Sequence, residues 1–484
     1  MKYFTMGEMM RSDTAARKGI NNKCTKEDAE RLNKLIENVL DPLREAYGKP
    51  IVVTSGYRCP ALNKAVGGSK TSDHCFDEET ELLTTDGWKK YYDLSEGDTI
   101  FSYSIERNRI EIVPIDEIII RQHNGKMMYI HNQQVDICVT DKHRMLIRYD
   151  NHKYKRKNER NITPLGQKYF DSLKTNNEKY HIELADELFK KRRWVMCANK
   201  YGGSIMLDDK FDLLKLCIAV ISDGFLHIRN NRFHGIGFNL KKERKIIHTS
   251  ELLNRLGIPF SLKLRSDGAM TFWINSTNGK QVFELIGRNK NIPRWVWLLP
   301  SYQQYELLKE YAFYDGSIDK RKGCRNFTIS TTSAQNRDTI QGMCVLSGLR
   351  CSYSTKSHSY YNINGKSGTG KEYYIISVCE CKNETRTGEK DYQWINYNGV
   401  VWCANNINTT LIVRRNGRVT IQGNCKGCAA DIVGTPNTKE ENRRLFELVK
   451  RLGLPFDQLI DEKNFAWVHV SYREGNNRKQ VLSL

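Results

Sequence analysis

Apolar residues recur at helical spacing soon after the start of the chain and predict an amphipathic helix over residues 26–46. The residues on its apolar face are Ala29, Leu32, Leu35, Ile36, Val39 and Leu43. A short apolar run, Ile51 to Thr54, predicts a buried strand, and a loop with glycine and proline follows it. Near the other end, the same patterns predict a helix from Lys439 to Leu452 and two short strands, the second of which contains His469.

Two nine-residue segments in the middle, LCIAVISDG (Leu216–Gly224) and LKEYAFYDG (Leu308–Gly316), form a half-repeat. Each lies at the end of an apolar periodic stretch, which predicts a helix that ends at an Asp-Gly pair. Close packing of the two helices would bring Asp223 and Asp315 side by side. Paired carboxylates there can bind Mg²⁺ ions, which activate water and stabilise a leaving oxygen.

The chain of 484 residues is too long for one ordinary domain and suggests about three. Its formal net charge is +20, and residues 75–424 carry +14 of that excess. Such an excess predicts a polyanionic partner, most simply nucleic acid, whose site lies in the middle of the chain. The basic runs at 153–160, 190–193 and 241–245 are predicted to contact phosphates.

The fourteen cysteines are scattered rather than spaced as a disulfide framework. The chain does not begin with the apolar segment of a secretion signal, and no apolar run approaches the roughly 18 residues of a membrane span. We therefore expect a cytoplasmic monomer without a membrane segment, in which reduced thiols are available as nucleophiles.

The two ends of the chain read as one protein when residue 74 is joined to residue 425. The joined sequence, GGSKTSDHCKGCAADI, separates His74 from Asp431 by six residues, and His469 follows on a predicted strand. Two imidazoles and a carboxylate can hold Zn²⁺ and leave a fourth position for water, which is the arrangement of a catalytic zinc site.

The joined ends resemble the zinc peptidases that cut peptidoglycan stem peptides, the D-Ala-D-Ala carboxypeptidase and L-alanyl-D-glutamate endopeptidase family. The motifs that carry this resemblance are Ser55–Arg58, Ser72–His74 continued by Gly427–Asp431, and Trp467–Ser471. The resemblance implies that His74, Asp431 and His469 bind zinc. It also implies that Arg58 polarises the substrate carbonyl or holds its carboxylate, because a guanidinium suits both tasks.

A peptidase of this kind also needs an acid as general base toward water. Glu462, just upstream of the strand that contains His469, is our choice, and Asp457 and Asp461 remain alternatives. The family and the size of the joined ends suggest a phage-type endolysin, made in the cytoplasm and acting on the cell wall after release at lysis.

The segment between the ends carries the chemistry for its own excision. The Cys75 thiol can take the acyl group of His74, which turns an amide into a thioester. Cys425 can then attack that thioester and receive residues 1–74 on its own sulfur. The side-chain amide of Asn424 can cyclise on its own carbonyl and release the middle, and a sulfur-to-nitrogen shift restores a peptide bond.

Residues 75–424 resemble an intein, a protein-splicing element with the Hint fold. The residues that carry the resemblance are Cys75, Thr80, Gly87, Thr140, His143, Cys403 and Asn424. The resemblance implies that Thr140 and His143 strain and protonate the first scissile amide. One position departs from the family, because Gly423 replaces the usual histidine before the terminal asparagine. Cyclisation must then draw its help from elsewhere, for example from Cys403 or His143.

The half-repeats resemble the two copies of the LAGLIDADG motif of homing endonucleases, which implies that Asp223 and Asp315 bind Mg²⁺ at a double-stranded DNA site. The predicted fold is therefore multidomain: an α+β zinc peptidase (hedgehog/DD-peptidase-like) is split by an all-β Hint horseshoe, itself interrupted by an α+β LAGLIDADG endonuclease. The predicted domains are 1–74 with 425–484, 75–200 with 375–424, and 205–370.

Two other classes of protein share parts of this pattern. A hedgehog-like autoprocessed signalling protein also joins a peptidase-like fold to a Hint domain, but it would carry a secretion signal and nothing essential after the Hint domain. A non-catalytic peptidoglycan-binding module with an inactive intein would keep the same folds. Zinc content and cleavage of muramyl peptides would separate this last class from a peptidase.

Overall fold

The structure, a computed structural model, forms two compact units. The outer unit consists of Met1–Ser72 and Cys425–Leu484, and the central unit consists of Asp73–Asn424. The residues that the structure describes are 2–24, 26–59, 62, 65–66, 75–149, 180–208, 210–319, 326–357, 360–363, 366–370, 372–424, 429–472, 477 and 479–483.

The helices are distributed over both units. The α-helices are α1 Met6–Met10, α2 Asp13–Lys18, α3 Lys26–Leu35, α4 Asp41–Tyr47, α5 Phe211–Ser222, α6 Glu243–Arg255, α7 Lys280–Ile286, α8 Ser301–Asp315, α9 Ala334–Leu346 and α10 Lys439–Arg451. A π-helix spans Ile36–Leu40, and 3₁₀ turns span Tyr91–Asp93, Asp186–Leu188, Arg294–Leu298 and Glu389–Asp391.

The strands are concentrated in the central unit and at the C-terminal end. They are β1 Ile51–Ser55, β2 Phe76–Asp77, β3 Glu81–Thr84, β4 Gly87–Lys90, β5 Thr99–Ser104, β6 Arg109–Pro114, β7 Glu117–His131, β8 Asp136–Thr140, β9 Arg144–Tyr149, β10 His181–Leu184, β11 Arg193–Met196, β12 Gly224–Arg229, β13 Arg232–Leu240, β14 Ser261–Leu264, β15 Met270–Asn275, β16 Gly316–Ile318, β17 Asn326–Thr331, β18 Arg350–Lys356, β19 Tyr360–Ile363, β20 Lys366–Thr369, β21 Tyr373–Cys379, β22 Glu384–Thr387, β23 Tyr392–Asn405, β24 Thr410–Arg415, β25 Arg418–Gly423, β26 Ala429–Gly434, β27 Gln458–Glu462, β28 Trp467–Ser471 and β29 Gln480–Ser483.

The helix predicted over residues 26–46 is present, but a π-helical turn interrupts it between α3 and α4. The Asp41 amide bonds to the carbonyl of Ile36, five residues back, and Pro42 has no N–H to continue the α-helical pattern. The predicted apolar face is nevertheless correct, since Leu35, Val39 and their neighbours on this face are buried in the core of the outer unit.

The outer unit is built on a five-stranded sheet in the order β1-β26-β28-β27-β29. One face of this sheet packs on the helices through apolar side chains that include Ile432, Val468 and Val470, all of which are fully buried. Because side chains alternate between the two faces of a strand, Asp431 and His469 point away from that core. Packing of the apolar face on the helices therefore leaves Asp431 and His469 on the opposite face of the sheet.

The central unit combines strands from both ends of its segment. A closed barrel joins β2, β23, β7 and β8, in which the long strands β7 and β23 pair along their length. A ten-stranded sheet follows the path β16-β17-β21-β18-β25-β24-β3-β5-β6, with β4 paired to β3. The first strands of this path come from the predicted endonuclease and the last from the predicted splicing domain, so one sheet runs through both regions.

The half-repeats are present as two similar αβ arrangements. Helix α5 ends at Ser222 with Asp223 as its C-cap, and β12 begins at Gly224, while α8 ends at Asp315 and β16 begins at Gly316. Each glycine is required by space, because a Cβ on Gly316 would lie 2.5 Å from the Cα of Ala312 in the preceding helical turn. The Asp-Gly pair is therefore the point at which each helix turns directly into a strand.

Candidate functional site

The first cysteine of the central segment is held by Thr140. The Cys75 amide donates a hydrogen bond of 2.9 Å to the Thr140 hydroxyl, and the Thr140 amide donates one of 3.0 Å to the Cys75 carbonyl. Both residues are buried, and the bonds follow from the pairing of β2 with β8 at Phe76 and Val139. Thr140 thus contacts the nitrogen of the His74–Cys75 peptide bond.

His143 lies in the same place because of a short turn after β8. Its amide donates a hydrogen bond of 3.0 Å to the Thr140 carbonyl, and its ring is fully buried. The ring packs edge-on against Phe76, with centroids 4.5 Å apart. Since Phe76 directly follows Cys75, the imidazole is brought next to the start of the segment.

The last asparagine of the segment is bonded to Cys403. The Cys403 thiol donates a hydrogen bond of 2.6 Å to Oδ1 of Asn424, and Nδ2 of Asn424 donates one to the Ala404 carbonyl. The backbone amide of Asn424 donates a further bond of 2.7 Å to the Thr409 carbonyl. Cys403 and Asn424 are both fully buried, so the amide is held in one orientation.

Cys75 and Cys403 lie in one buried cluster together with Met127, Cys138 and Val401. The structure therefore brings the beginning of the segment to the residue that holds its end. Burial raises the pKa of the Cys138 thiol to about 12, with nearby Asp77 acting in the same direction. Cys138 therefore stays protonated near neutral pH and is a poor nucleophile in this cluster.

Buried ion pairs hold the strands around this cluster. Arg415 bonds to Asp77 at 2.8 Å and also to Asp136. Burial raises the pKa of Asp77, although the Arg415 charge and a 2.7 Å hydrogen bond from Thr80 oppose that effect. The network ties the loop after Cys75 to β8 and to β24, and it accounts for the presence of Thr80.

Arg144, which sequence reasoning did not single out, contacts the end of the segment. Its Nη1 donates a hydrogen bond of 2.6 Å to the backbone carbonyl oxygen of Asn424. The preceding Gly423 lies against β9: a Cβ there would be 2.7 Å from the Arg144 carbonyl oxygen and 2.8 Å from Cδ1 of Ile182. The adjacency of Arg144 to His143 is the one signal in the sequence that could have drawn attention to it.

A second polar site lies at the ends of α5 and α8. Burial raises the pKa of Asp315, and the neighbouring Asp223 charge adds to this increase against Lys245 and Lys290. Lys245 forms a salt bridge with Asp223, and the Lys290 ammonium donates to backbone carbonyls, including that of Gly224 at 2.7 Å. Two carboxylates close enough to repel each other, beside two lysine cations, are a set of groups that suits a divalent cation and a phosphate.

The predicted phosphate-contacting runs have different environments. Residues 153–160 lie outside the described residues. Arg193 is paired with Glu183, Arg244 donates to the Phe313 carbonyl and Lys245 bonds to Asp223. These three side chains have structural partners within the protein, so the basic excess there is partly a set of internal ion pairs.

In the outer unit, Asp431 and His469 face each other on adjacent strands. They are paired in register between β26 and β28, and Nδ1 of His469 lies 2.8 Å from Oδ1 of Asp431. Arg58 reaches the other oxygen of Asp431 at 3.4 Å and donates to Ser55 at 2.7 Å. The sheet thus presents an imidazole, a carboxylate and a guanidinium together on the face opposite to the core.

The strand register also shows on which face of the sheet each candidate general base of β27 lies. Ile460 pairs with His469 and Glu462 pairs with Trp467, so Glu462 shares a face with His469 by the two-residue alternation of a strand. Asp461 pairs with the buried Val468 on the other face, where it accepts a hydrogen bond from the amide of Phe465. Asp457 is also buried and precedes β27. By strand register, Glu462 lies on the face of His469 and Asp461 does not.

His74 and Cys425 lie outside the described residues, so the structure gives no position for the third predicted zinc ligand or for the second splicing cysteine. Among the residues that are described, no three metal-binding side chains form a cluster. The pair that is described fits zinc chemically, since a carboxylate oxygen and an imidazole nitrogen are typical zinc ligands. No described helix has the length and apolar character needed to cross a membrane.

Residues 2–90 match the family model described as Peptidase M15. The last part of this range, residues 75–90, lies in the central unit, where β3 pairs with β4 and with β24. The pairing of β3 with β24 joins residues that are far apart in the chain and holds this part of the matched range in the central unit. Residues 2–90 are therefore similar to the M15 peptidase family, and the part of the outer unit that they include ends at Ser72, before the central unit begins.

A curated relative is the ribonucleoside-diphosphate reductase subunit beta of Aquifex aeolicus (strain VF5), which is 24% identical over 408 residues. The match covers 80% of this chain and 56% of that protein, so the chain spans about half of the relative's length. Only 134 of the 484 residues lie outside residues 75–424. Most of the matched region must therefore lie within residues 75–424.

Solved structures that resemble the chain include I-DmoI in complex with DNA and Mn, which is 13% identical, covers 35% of this chain and 90% of that chain, and has a TM-score of 0.25. The N-terminal LAGLIDADG domain of DUF199/WhiA is 10% identical, covers 35% of this chain and 76% of that chain, and has a TM-score of 0.24.

Proposed function

We propose that residues 75–424 excise themselves and join residues 1–74 to residues 425–484, which then act as a zinc peptidase on peptidoglycan stem peptides. The observation that carries the splicing proposal is the buried cluster that contains Cys75 and Cys403. Cys75 is hydrogen-bonded to Thr140 at the first peptide bond to be broken. Cys403 is hydrogen-bonded to Asn424, the residue at the last bond to be broken. A structural core has no need to bring the two ends of one segment to a pair of thiols.

The first step is the transfer of the His74 acyl group to the Cys75 sulfur. The new bond joins Sγ to the His74 carbonyl carbon, the C–N bond breaks, the Cys75 thiol loses one proton, and the Cys75 nitrogen gains one and becomes an amine. Thr140 is bonded to that nitrogen, and His143 is buried beside it. We infer that these two residues orient the amide and supply the proton, which is the role that the family resemblance implies.

Three further steps complete the proposal. The Cys425 thiol attacks the thioester, takes the acyl group and releases the Cys75 thiol. Nδ2 of Asn424 then attacks its own carbonyl carbon, so that a cyclic imide forms and the bond to Cys425 breaks. Last, the freed Cys425 amine takes the acyl group from its own sulfur. Cys403 supports cyclisation by holding the Asn424 amide through its 2.6 Å hydrogen bond.

The similarity to a reductase subunit supports an element that inserts into unrelated proteins. The relative is named as a reductase subunit, whereas the family model matched at the N-terminus is that of a peptidase. Most of the residues of this chain that match the reductase subunit nevertheless lie within residues 75–424. A segment that inserts into different host proteins would produce this pattern, because related segments share their sequence even where their host proteins do not.

The peptidase proposal rests on the family match at residues 2–90 and on the pair formed by Asp431 and His469. His74, Asp431 and His469 would hold the zinc ion, which when bound supplies a Lewis acid and an activated water. Arg58 would bind a substrate carboxylate or carbonyl, and Glu462, which shares a face of the sheet with His469, would take a proton. Excision joins His74 to the strand region that supplies the other two ligands.

A second activity, cleavage of double-stranded DNA, is favoured by the two carboxylates at the ends of α5 and α8. Asp223 and Asp315 would hold Mg²⁺, and Lys290 and Lys245 would stabilise charge on a phosphate beside them. The test is Mg²⁺-dependent cleavage of a duplex that encodes the uninterrupted junction. Asp223→Asn and Asp315→Asn should each abolish it, whereas Asp267→Asn, on an exposed carboxylate, should not.

Expression followed by intact-mass analysis tests the splicing proposal. The wild type should yield a ligated product of 134 residues and an excised product of 350 residues. The double variant Cys75→Ala, Asn424→Ala should remain at full length. A wild type that also remains at full length would contradict splicing and would favour the inactive-intein class. Zinc content of the 134-residue product, together with stem-peptide cleavage, then separates a peptidase from a binding module.

A further inference from the structure

The carbonyl oxygen of Asn424 is the atom on which negative charge develops when the C-terminal bond is cut. Attack of Nδ2 on the Asn424 carbonyl carbon converts a planar amide into a tetrahedral intermediate with an oxyanion. Arg144 already donates a hydrogen bond of 2.6 Å to this oxygen. A donor aimed at the site of developing charge stabilises the transition state more than the ground state, particularly in a buried site.

The chain cannot place a donor on the residue before Asn424. Gly423 ends β25 in contact with β9, and a Cβ at this position would lie 2.7 Å from the Arg144 carbonyl oxygen and 2.8 Å from Ile182. A histidine side chain would therefore have to displace the backbone of β9. The strand that excludes a side chain at Gly423 is the strand that carries Arg144, so one packing arrangement accounts for both features.

The Arg144 guanidinium is suited to stabilising an oxyanion on Asn424 in two respects. It stays protonated throughout the physiological range, whereas a histidine loses its charge near pH 6.5. It also approaches the carbonyl from β9 while Cys403 and the Ala404 carbonyl hold the side-chain amide from the other end. The nucleophilic amide and the carbonyl that it attacks are thus each bonded to a separate partner.

We propose that Arg144 is a catalytic residue of C-terminal cleavage, in which it stabilises the oxyanion formed on Asn424 in place of the absent histidine at position 423. In this step the bond from Nδ2 to the carbonyl carbon forms and the bond to the Cys425 nitrogen breaks. One proton leaves Nδ2, and one proton is gained by the released Cys425 amine. This inference rests on the proposed splicing function.

The test separates the two ends of the reaction. Dithiothreitol cleaves the thioester at Cys75 without asparagine cyclisation, so it reports on the N-terminal step alone. Arg144→Gln in the full chain should leave this cleavage at the wild-type rate. It should slow release of residues 425–484 on the order of 100-fold, the usual loss for one oxyanion donor, and a branched intermediate should accumulate. Arg144→Lys should retain more activity than Arg144→Gln because it keeps the charge.

Arg148→Gln is the matched control. Arg148 lies on the same strand and is paired with Glu384, so its loss removes a β9 guanidinium without touching Asn424. Equal slowing of C-terminal cleavage in Arg148→Gln and Arg144→Gln would overturn the proposal, because the effect would then be structural. A wild-type rate in Arg144→Gln would overturn it as well, while dithiothreitol cleavage and ligation in the wild type would leave splicing itself intact.

The histidine variant gives a readout that a purely structural role would not produce. In Arg144→His, the donor loses its charge as the pH rises through about 6.5. The ratio of its C-terminal cleavage rate to that of the wild type should therefore fall from about pH 5.5 to about pH 8, a range that spans the ordinary histidine pKa. A ratio that stays constant across this range would contradict a charged donor at the Asn424 carbonyl.

Discussion

The amide nitrogen of Cys75 and the hydroxyl oxygen of Thr140 are 2.9 Å apart and share a hydrogen bond. In the proposed reaction this nitrogen is the leaving group of the first step, so Thr140 contacts a reacting atom. The same residue also donates its amide to the Cys75 carbonyl at 3.0 Å. A variant that removes only the hydroxyl therefore leaves the backbone pairing of Cys75 in place.

Thr140→Val should slow thioester formation at Cys75 by roughly 10-fold, which corresponds to the loss of one buried hydrogen bond. The measurement is the rate of dithiothreitol-induced cleavage between residues 74 and 75. Asn424 cyclisation involves other atoms, so its intrinsic rate should change less. An unchanged N-terminal rate would show that the hydroxyl takes no part in the first step.

Cys403 is expected to act at the opposite end. Cys403→Ala removes the donor to Oδ1 of Asn424 and should slow release of residues 425–484 about 10-fold, with N-terminal cleavage retained. Cys403→Ser provides a hydroxyl donor at nearly the same position and should recover part of the loss. If the serine variant were as slow as the alanine variant, the hydrogen bond would not explain the role of this residue.

Arg414 connects the splicing strands to the inserted helices. It is buried, with ion pairs to Glu81 of β3 at 2.7 Å and to Asp338 of α9 at 2.6 Å. Arg414→Ala should lower the stability of the central unit by about 3–5 kcal/mol, because it removes a buried guanidinium and leaves the half-buried Glu81 without this ion pair. The measurement is urea unfolding of the splicing-blocked precursor.

The control for this variant is Arg265→Ala, which removes an exposed pair with Asp267 and should leave the free energy of unfolding nearly unchanged. A similar small loss in Arg414→Ala would indicate that the insertion and the splicing strands are independent. The larger loss would indicate that deletion of residues 205–370 destabilises the strands that surround the buried Cys75 and Asn424.

The assignment of Glu462 is tested in the ligated product. Glu462→Gln should keep zinc bound and should lower stem-peptide hydrolysis on the order of 100-fold or more, the range for a lost general base. His469→Ala should instead lower the zinc content itself. Asp461→Asn changes a carboxylate on the opposite face of the strand and should retain hydrolysis in the folded fraction. Loss of hydrolysis in Asp461→Asn alone would reassign the base.

Sequence patterns predicted the local elements well. The apolar face of residues 26–46, the strand that contains His469 and the two helices that end at Asp-Gly are all present. Each of these depends on neighbours in the chain, so periodicity is enough to find it. The interruption after Leu35 was not predicted, since it depends on how Pro42 alters the backbone bonds of the preceding turn.

Contacts between residues that are distant in the chain could be predicted from the sequence only in part. The roles of Thr140 and His143 followed from a family resemblance, but their bonds to Cys75 and Phe76 required the pairing of β2 with β8. Arg144 lies 280 residues from Asn424 in the chain. Its contact depends on how β9 packs against β25, and no spacing of apolar residues encodes that. The continuity of one sheet through both predicted central domains was missed for the same reason.

The most direct test of the splicing account is tandem mass spectrometry of the junction. A tryptic digest of the smaller product should contain the peptide TSDHCK, in which His74 is joined to Cys425 by an ordinary peptide bond. The larger product should begin at Cys75 and end at a cyclised Asn424. Recovery of the unspliced sequence TSDHCFDEETELLTTDGWK as the sole junction peptide, with no TSDHCK, would contradict the account.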